Sequence, residues 1–473
     1  VTPQTVVIAC DTFAPDHNGS ATFAKNLACE LQTRGYEVHV IAPAFSKLYG
    51  TFREKHDGIP IVVHRLKSYA LPFHPTQRFV NPAGLTRKLD GLISAISPQV
   101  VHIQSHLNVG HHAAAAAKSN KIRLIATNHL NAESFVENVL LAPSFIKKFL
   151  AKMLMRDAAN VFRSADSVVA PTLRSAQLLE SVIPNLPVYA ISGGVELSRF
   201  NSLPTPSQEA KTITYVGRLD REKHVYVLLE ALAKLPGDLK LELIGSGNQQ
   251  SELAALAKQL KVSDRVTFFE DLNDDEVILR LGKASVFVMP SIQELQSMAT
   301  LEAMAAGRVI VAAEAMALPY LVESGVNGYL FRPDSPNNLA EKIQKVFNLP
   351  KSQFDEMGRA SRERAAQHDL ADTVTSYERL YAGESPLPSD IHTERGYTAP
   401  AGVGERIGDL VRKSTSTLEK GANGVLERLD GVRGSVAETF GDVRFLITRR
   451  GKRVTKKLSA SLRKALERIR RDD

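Results

Sequence analysis

Short apolar runs recur along most of the chain, with amphipathic stretches between them. "TVVIAC" (5–10), "EVHVIAP" (37–43), "VVHIQSH" (100–106) and "IRLIATNH" (122–129) are short and nearly continuously apolar, so they read as buried strands. Between the first two, "ATFAKNLACELQTRG" (21–35) carries apolar residues at helical spacing and ends in a C-terminal glycine, Gly35. "ADSVVAPT" (165–172) adds another strand, and residues 184–200, with two prolines and a glycine pair, read as a linker. The alternation then restarts with "TITYVGRL" (212–219), "KLELIGSG" (240–247), "RVTFFED" (265–271), "SVFVMPS" (285–291) and "RVIVAAE" (308–314).

Strands alternating with helices predict parallel sheets built from βαβ units, here twice over. The expected fold class is α/β, with two Rossmann-like doubly wound domains facing a cleft. The first spans 1–190 and the second 191–368, and a helical segment over 369–383 closes the second half. Ligands in such folds sit outside the carboxyl ends of the strands. Residues 384–400 read as a polar, proline-containing linker. Residues 401–473 read as a basic amphipathic tail, helical or partly disordered, that builds no core of its own.

Charge separates the tail from the body. The net charge is +8, and residues 443–473 hold twelve Lys/Arg against three Asp/Glu, a net +9 that leaves −1 for the other 442 residues. As a helix, the tail places Val454, Leu458, Leu462, Leu466 and Ile469 along one side among lysines and arginines. That suits an anionic membrane surface; a nucleic-acid tail or a solvated end are the alternatives. Aromatic residues do not interleave the basic run beyond Phe445, so no specific nucleic-acid partner is expected. "VTPQTVVIAC" lacks a basic n-region, and no apolar run is long enough to span a bilayer. Cys10 and Cys29 read as buried thiols suited to a reducing compartment. The expected location is cytoplasmic, peripherally at the inner face of the cell membrane.

Candidate chemistry lies at the strand ends. In "TYVGRLDREKH", Arg218 and Lys223 follow a strand five positions apart and can clamp adjacent phosphates, or can be two solvated surface cations. "LIGSGNQQSEL" sets Gly245 and Gly247 between strand and helix, which suits either an anion-facing turn or an ordinary tight turn. "FAPDHNGSATFAKNL" puts Gly19 ahead of a helix N-terminus, again open to a ligand or simply a capped loop. "PSIQELQSMATLEAMAAG" (290–307) holds Glu294 at a strand exit and Glu302 among apolar helix neighbours. A buried carboxylate needs a partner, and vicinal ribose hydroxyls supply one. The backbone N–H groups near Gln296, Ser297 and Met298 lie at that helix's positive end. His129 follows a first-half strand and faces the cleft, whereas His102 reads as a structural strand residue and His106 as a loop residue. His111 and His112 are adjacent and cannot share a helix face as metal ligands do.

Together these segments resemble retaining GT-B glycosyltransferases of family four, the group of the phosphatidylinositol mannosyltransferases, diacylglycerol glucosyltransferases and inositol-phosphate glycosyltransferases. The resemblance covers roughly residues 5–382. Its carriers are "APDHNGSATFAKNLACELQTRGYEVHVIAP", "GGVELSRF", "YVGRLDREKH" with Gly217, "LIGSGN" and "ELQSMATLEAMAAG…NGYLFRP". The pair Glu294/Glu302 matches the family's E-x7-E signature.

The resemblance implies that Arg218 and Lys223 neutralise a departing nucleoside diphosphate, that Glu302 holds the ribose and that Glu294 holds the transferred sugar. Gly19, Gly217, Gly245 and the Gln296–Met298 backbone would approach the donor. His129 would stand near the reaction centre, and the last helix would pack back on the first domain. The implied reaction moves a hexose from GDP-mannose or UDP-glucose to a lipid acceptor, with retention and with no metal or other cofactor. A soluble inositol phosphate or a polysaccharide is the alternative acceptor. A catalytically silent membrane tether is the alternative of another class, against which the presence of Arg218, Lys223, Glu294 and Glu302 argues. One departure stands out: where relatives have E-G-F-G-L, this chain has Glu294-Leu295-Gln296-Ser297-Met298, so both glycines are gone.

Overall fold

The computed structural model describes residues 4–16, 18–71, 74–129 and 154–387. The tail from 401 and its amphipathic helix lie outside the described residues, as do the linker beyond 387 and the segment 130–153.

Two sheets organise the chain up to 387. The first has eight strands in the order β10-β9-β8-β7-β1-β2-β4-β3. These are β1 (Thr5–Ala9), β2 (Glu37–Pro43), β3 (Gly50–His56), β4 (Ile59–Leu66), β7 (Val100–Ile103), β8 (Arg123–Thr127), β9 (Ser167–Ala170) and β10 (Val188–Ala190). All neighbours run parallel except the hairpin pair β3 and β4. A separate antiparallel ribbon, β5 (Ser68–Leu71) with β6 (His74–Val80), follows β4. The second sheet has six parallel strands in the order β13-β12-β11-β14-β15-β16. They are β11 (Thr212–Val216), β12 (Lys240–Ile244), β13 (Val266–Phe269), β14 (Val286–Met289), β15 (Val309–Ala313) and β16 (Gly328–Phe331).

This second order is the doubly wound 3-2-1-4-5-6 arrangement, whose direction reverses between β11 and β14. In the first sheet the order reverses between β1 and β7. Loops diverge at such points and leave a crevice at the strand ends.

Local sequence explains the first helix, Gly19–Thr33. The Asn18 side chain accepts from the Ala21 amide at 3.0 Å, and Ala21, Ala24, Leu27, Ala28 and Leu31 form its buried stripe. Gly35 ends the turn beyond it at φ +91°. The closing helix, Leu370–Ala382, buries Leu370, Val374, Tyr377, Leu380 and Tyr381 in the core of the first lobe, although it follows the second lobe in sequence. The chain therefore passes between lobes twice, near 191–195 and near 366–370, and the two passages touch. The Val195 amide donates to the His368 carbonyl at 2.8 Å, and the Leu370 amide to the Val195 carbonyl at 3.1 Å. Gly194 makes this possible: its φ is +70°, and a Cβ there would stand 2.8 Å from the Leu370 Cα.

Residues 184–200 are not wholly a linker. Val188–Ala190 adds β10 at the sheet edge, too short to declare itself by periodicity.

Candidate active site

A cleft of about 430 Å³ lies at the strand ends of both lobes. Among the sequence-derived residues, Gly19, Gly217, Arg218, Gly245, Met298 and Glu302 line it. Lys223, Glu294, Gln296, Ser297 and His129 stand outside that lining.

One part of the lining is built of backbone. Gly217 (φ +152°) ends β11 and Gly245 (φ +132°) ends β12, and the Gly217 amide donates to the Ile244 carbonyl at 3.0 Å. A Cβ on Gly245 would overlap the Gly217 carbonyl, and one on Gly247 would overlap the Leu219 backbone. Here the glycines are demanded by the protein's own close packing. Gly19 differs. A Cβ there would meet only the Met298 Cγ at 3.7 Å, an ordinary contact.

The two cations come with carboxylates. The Arg218 guanidinium pairs with both Asp220 and Glu222. Asp220 also accepts from the Asn248 amide at 3.0 Å, which ties the β11 loop to the β12 loop. Lys223 Nζ lies 2.6 Å from Glu294. The clamp therefore holds its own counter-ions, and a bound diphosphate would compete with Asp220 and Glu222 for Arg218. Both carboxylates sit in the quoted motif, two and four positions after Arg218. The sequence reading took the motif's cations and left its anions aside.

Glu302 is different. It lies on the helix Met298–Ala305, half-buried on the cleft wall, and its carboxylate has no hydrogen-bond partner among the described residues. Burial pushes its pKa up to about 7; Asp274 adds to the rise, while Arg199 and Lys25 oppose it. An acceptor held next to a cleft without a protein donor can accept hydrogen bonds from a ligand's hydroxyl groups.

The loop before that helix is committed to the protein. Gln296 Oε1 accepts from the Gly193 amide at 2.8 Å and its Nε2 donates to Ser192 Oγ at 2.7 Å. Ser297 Oγ accepts from the Thr300 amide at 3.3 Å and caps the helix. Only the main chain of these two residues remains for a ligand, at a helix start whose first amides lack intrahelical acceptors. In place of flexible glycine, Gln296 fastens this loop to the inter-lobe passage.

His129 sits behind the wall. It hydrogen-bonds Gln104 Oε1 at 2.9 Å and packs on Phe23 at 4.9 Å between ring centroids. Burial pushes its pKa down to about 4, so the ring is neutral at physiological pH. His102 is a buried strand residue that hydrogen-bonds Tyr381 and Thr127. His106 is buried at the end of β7, against Phe162. Among the described residues, no group of three or more His, Cys, Asp or Glu is arranged to hold a metal.

Sequence reading missed the ion pair that crosses the cleft. Lys25, on the first helix, lies 2.9 Å from Asp57 in its own lobe and 2.7 Å from Asp274 in the other. Arg199 reaches Asp275 at 2.8 Å within the second lobe, next to the Lys25 partner Asp274. Isolated charges 249 residues apart carry no sequence signal that they meet.

Comparison with known proteins bears on family and fold. Residues 17–199 match the family described as Glycosyltransferase Family 4, and residues 201–364 match Glycosyl transferases group 1. The two matches, which together span most of residues 17–364, make the chain a family 4-like glycosyltransferase of GT-B fold. It is 31% identical over 268 residues to the D-inositol 3-phosphate glycosyltransferase of Mycolicibacterium smegmatis, covering 52% of this chain and 60% of that one. It is 24% identical over 421 residues to the alpha-monoglucosyldiacylglycerol synthase of Streptococcus pneumoniae, covering 80% of this chain and 91% of that one. Among solved structures, the sucrose-phosphate synthase of Thermosynechococcus elongatus superposes with a TM-score of 0.65 at 19% identity, over 80% of this chain and 98% of that one. Anabaena HepE in complex with UDP and glucose gives 0.63 at 18%, over 80% and 99%. The likeness to these two structures is one of fold.

Proposed function

We propose that this glycosyltransferase moves a hexose from a nucleoside-diphosphate sugar, GDP-mannose or UDP-glucose, to a lipid acceptor at the cytoplasmic face of a membrane, with retained configuration and without a metal. The observation that carries the donor half is Glu302, a carboxylate without a protein donor among the described residues, lining the same cleft as two backbone-packed glycine turns and Arg218. In this reading the Glu302 carboxylate accepts both ribose hydroxyls. Arg218 exchanges Asp220 and Glu222 for the diphosphate. Lys223, held by Glu294, stabilises charge on the leaving oxygen, and Glu294 accepts from the hexose hydroxyls. Neutral His129 orients the sugar or acceptor from behind Phe23. The lipid acceptor draws support from the likeness to the alpha-monoglucosyldiacylglycerol synthase, which covers 80% of this chain and 91% of that one. The inositol-phosphate relative, of higher identity over a shorter match, favours a soluble inositol phosphate as the second reading.

The test measures nucleoside diphosphate released from each donor with diacylglycerol, phosphatidylinositol or inositol phosphate, with and without EDTA. Release that needs a lipid and ignores EDTA supports the proposal. Release with inositol phosphate alone favours the second reading. EDTA inhibition rescued by magnesium overturns the metal-free mechanism. Arg218→Ala and Lys223→Ala should each lower kcat by about 10²–10³; near-normal rates would remove them from the reaction.

A further inference from the structure

Exposed large apolar side chains are not scattered evenly. Of nine among the described residues, six belong to one stretch of the first lobe: Phe45, Leu48, Tyr49, Phe52, Tyr69 and Phe79. Leu48 is 72% exposed, Tyr49 54% and Tyr69 51%. They come from the β2–β3 loop, edge strand β3 and the β5–β6 ribbon.

Contacts tie five of them into two groups, and the β2–β3 loop that carries Phe45, Leu48 and Tyr49 links the groups into a ridge. Arg65 stacks over Phe45 at 5.0 Å. Phe52 pairs with Val63 two positions from Arg65, on the same sheet face. Lys67 stands between Tyr49 and Tyr69, 5.8 and 5.9 Å from their ring centroids. Tyr69 lies directly across the ribbon from Phe79. The ridge also reaches the cleft, where Phe45 and Arg78 form part of the lining.

Its charge is one-sided. Residues 45–80 hold six Lys/Arg and two Asp/Glu, and one of those acids, Glu54, is taken up by Arg65. An exposed apolar patch of this kind marks a docking surface. A sugar-binding platform would pair one or two rings with hydrogen-bonding side chains. This ridge instead presents Leu48, Phe45, Phe52 and Phe79, whose side chains offer no polar atom, with Lys47 in the same loop and Lys67 beside the tyrosine rings. Apolar tips with lysines beside tyrosine rings fit the boundary between acyl chains and anionic headgroups.

We propose that this aromatic–cationic ridge seats the first lobe on an anionic lipid bilayer, with the cleft mouth turned toward the headgroups. The contact is independent of residues 443–473. It extends the lipid-acceptor reading, yet it can be measured without donor or turnover.

The chain has no tryptophan, so one introduced residue reports alone. Tyr49→Trp places it on the ridge and Leu279→Trp, 60% exposed in the other lobe, serves as control. Each full-length variant is mixed with phosphatidylglycerol/phosphatidylcholine vesicles containing brominated phosphatidylcholine. The Tyr49→Trp emission should shift to the blue and be quenched, and the Leu279→Trp emission should not. Lys47→Gln and Lys67→Gln in the Tyr49→Trp background should weaken vesicle binding about fivefold per position. Unchanged Tyr49→Trp emission overturns the proposal, whether the protein sediments with the vesicles or stays in solution. So does an emission shift produced by soluble oligosaccharide and not by vesicles. Vesicle contact without transfer to any lipid would sink the lipid-acceptor reading alone. Transfer to detergent-dispersed lipid with no vesicle contact would sink this proposal alone.

Discussion

Glu302 shows how one side chain can trade stability for binding. Its folded-state carboxyl is raised to about 7 by burial, above the ordinary carboxylate value. The ligand-free protein therefore gains stability as pH falls through about 7 toward the ordinary carboxylate range, and lacks that gain at higher pH. Allowing for solvent screening of a half-buried group, the difference is on the order of 2 kcal/mol. Glu302→Gln should raise the unfolding temperature at pH 8 and flatten its pH dependence. Donor binding runs the other way, because a ribose bound through two accepted hydrogen bonds favours the ionised carboxylate. Calorimetry should show wild-type donor affinity weakening below about pH 7. The Glu302→Gln protein should bind about 10–100-fold more weakly at pH 8, with little pH dependence. A variant with unchanged donor affinity would detach Glu302 from the nucleotide.

At the scale of elements, β11 and β12 end in loops that pack backbone against backbone. Asp220 ties them by taking both the Arg218 guanidinium and the Asn248 amide. The clamp cation is thus positioned by the same contact that fixes the glycine turn. Gly245→Ala must find room where the Gly217 carbonyl stands and must adopt φ +132°. It should cost about 1–3 kcal/mol of stability, and it should weaken donor binding because Gly217 and Arg218 shift with it. Gly19→Ala, facing only Met298 at 3.7 Å, should leave unfolding unchanged. Thermal unfolding of the two variants side by side separates a glycine needed by the fold from one that leaves space in the cleft.

For the molecule as a whole, the lobes are joined by two touching chain passages and by the Lys25–Asp274 ion pair. Lys25 stands between Asp57 of its own lobe and Asp274 of the other, with little of its side chain exposed. Lys25→Met should shift the balance toward an open cleft by about 1 kcal/mol, roughly fivefold. Small-angle scattering should then report a larger radius of gyration, and the donor KM should rise. An unchanged scattering profile would reduce Lys25 to a surface pairing. Raising ionic strength should have the same direction of effect in the wild-type protein.

Much of this architecture is readable in one dimension. Strand runs such as "TITYVG" and "SVFVMPS" are apolar because both sheet faces are covered, so two βαβ series and the break between them follow from pattern alone. Strand-end glycines and cations mark the cleft because parallel sheets bind there. Strands β3 to β6 escaped notice: β3, exposed along most of its length, has no buried face to impose alternation. What only the folded chain decided is which groups meet. The value of a charge depends on its distance to others and on the water left around it, and neither is written in sequence order. So Arg218 acquires Asp220 and Glu222, Gln296 becomes an inter-lobe pin, Lys25 finds Asp274, and six scattered apolar residues become a ridge beside the cleft.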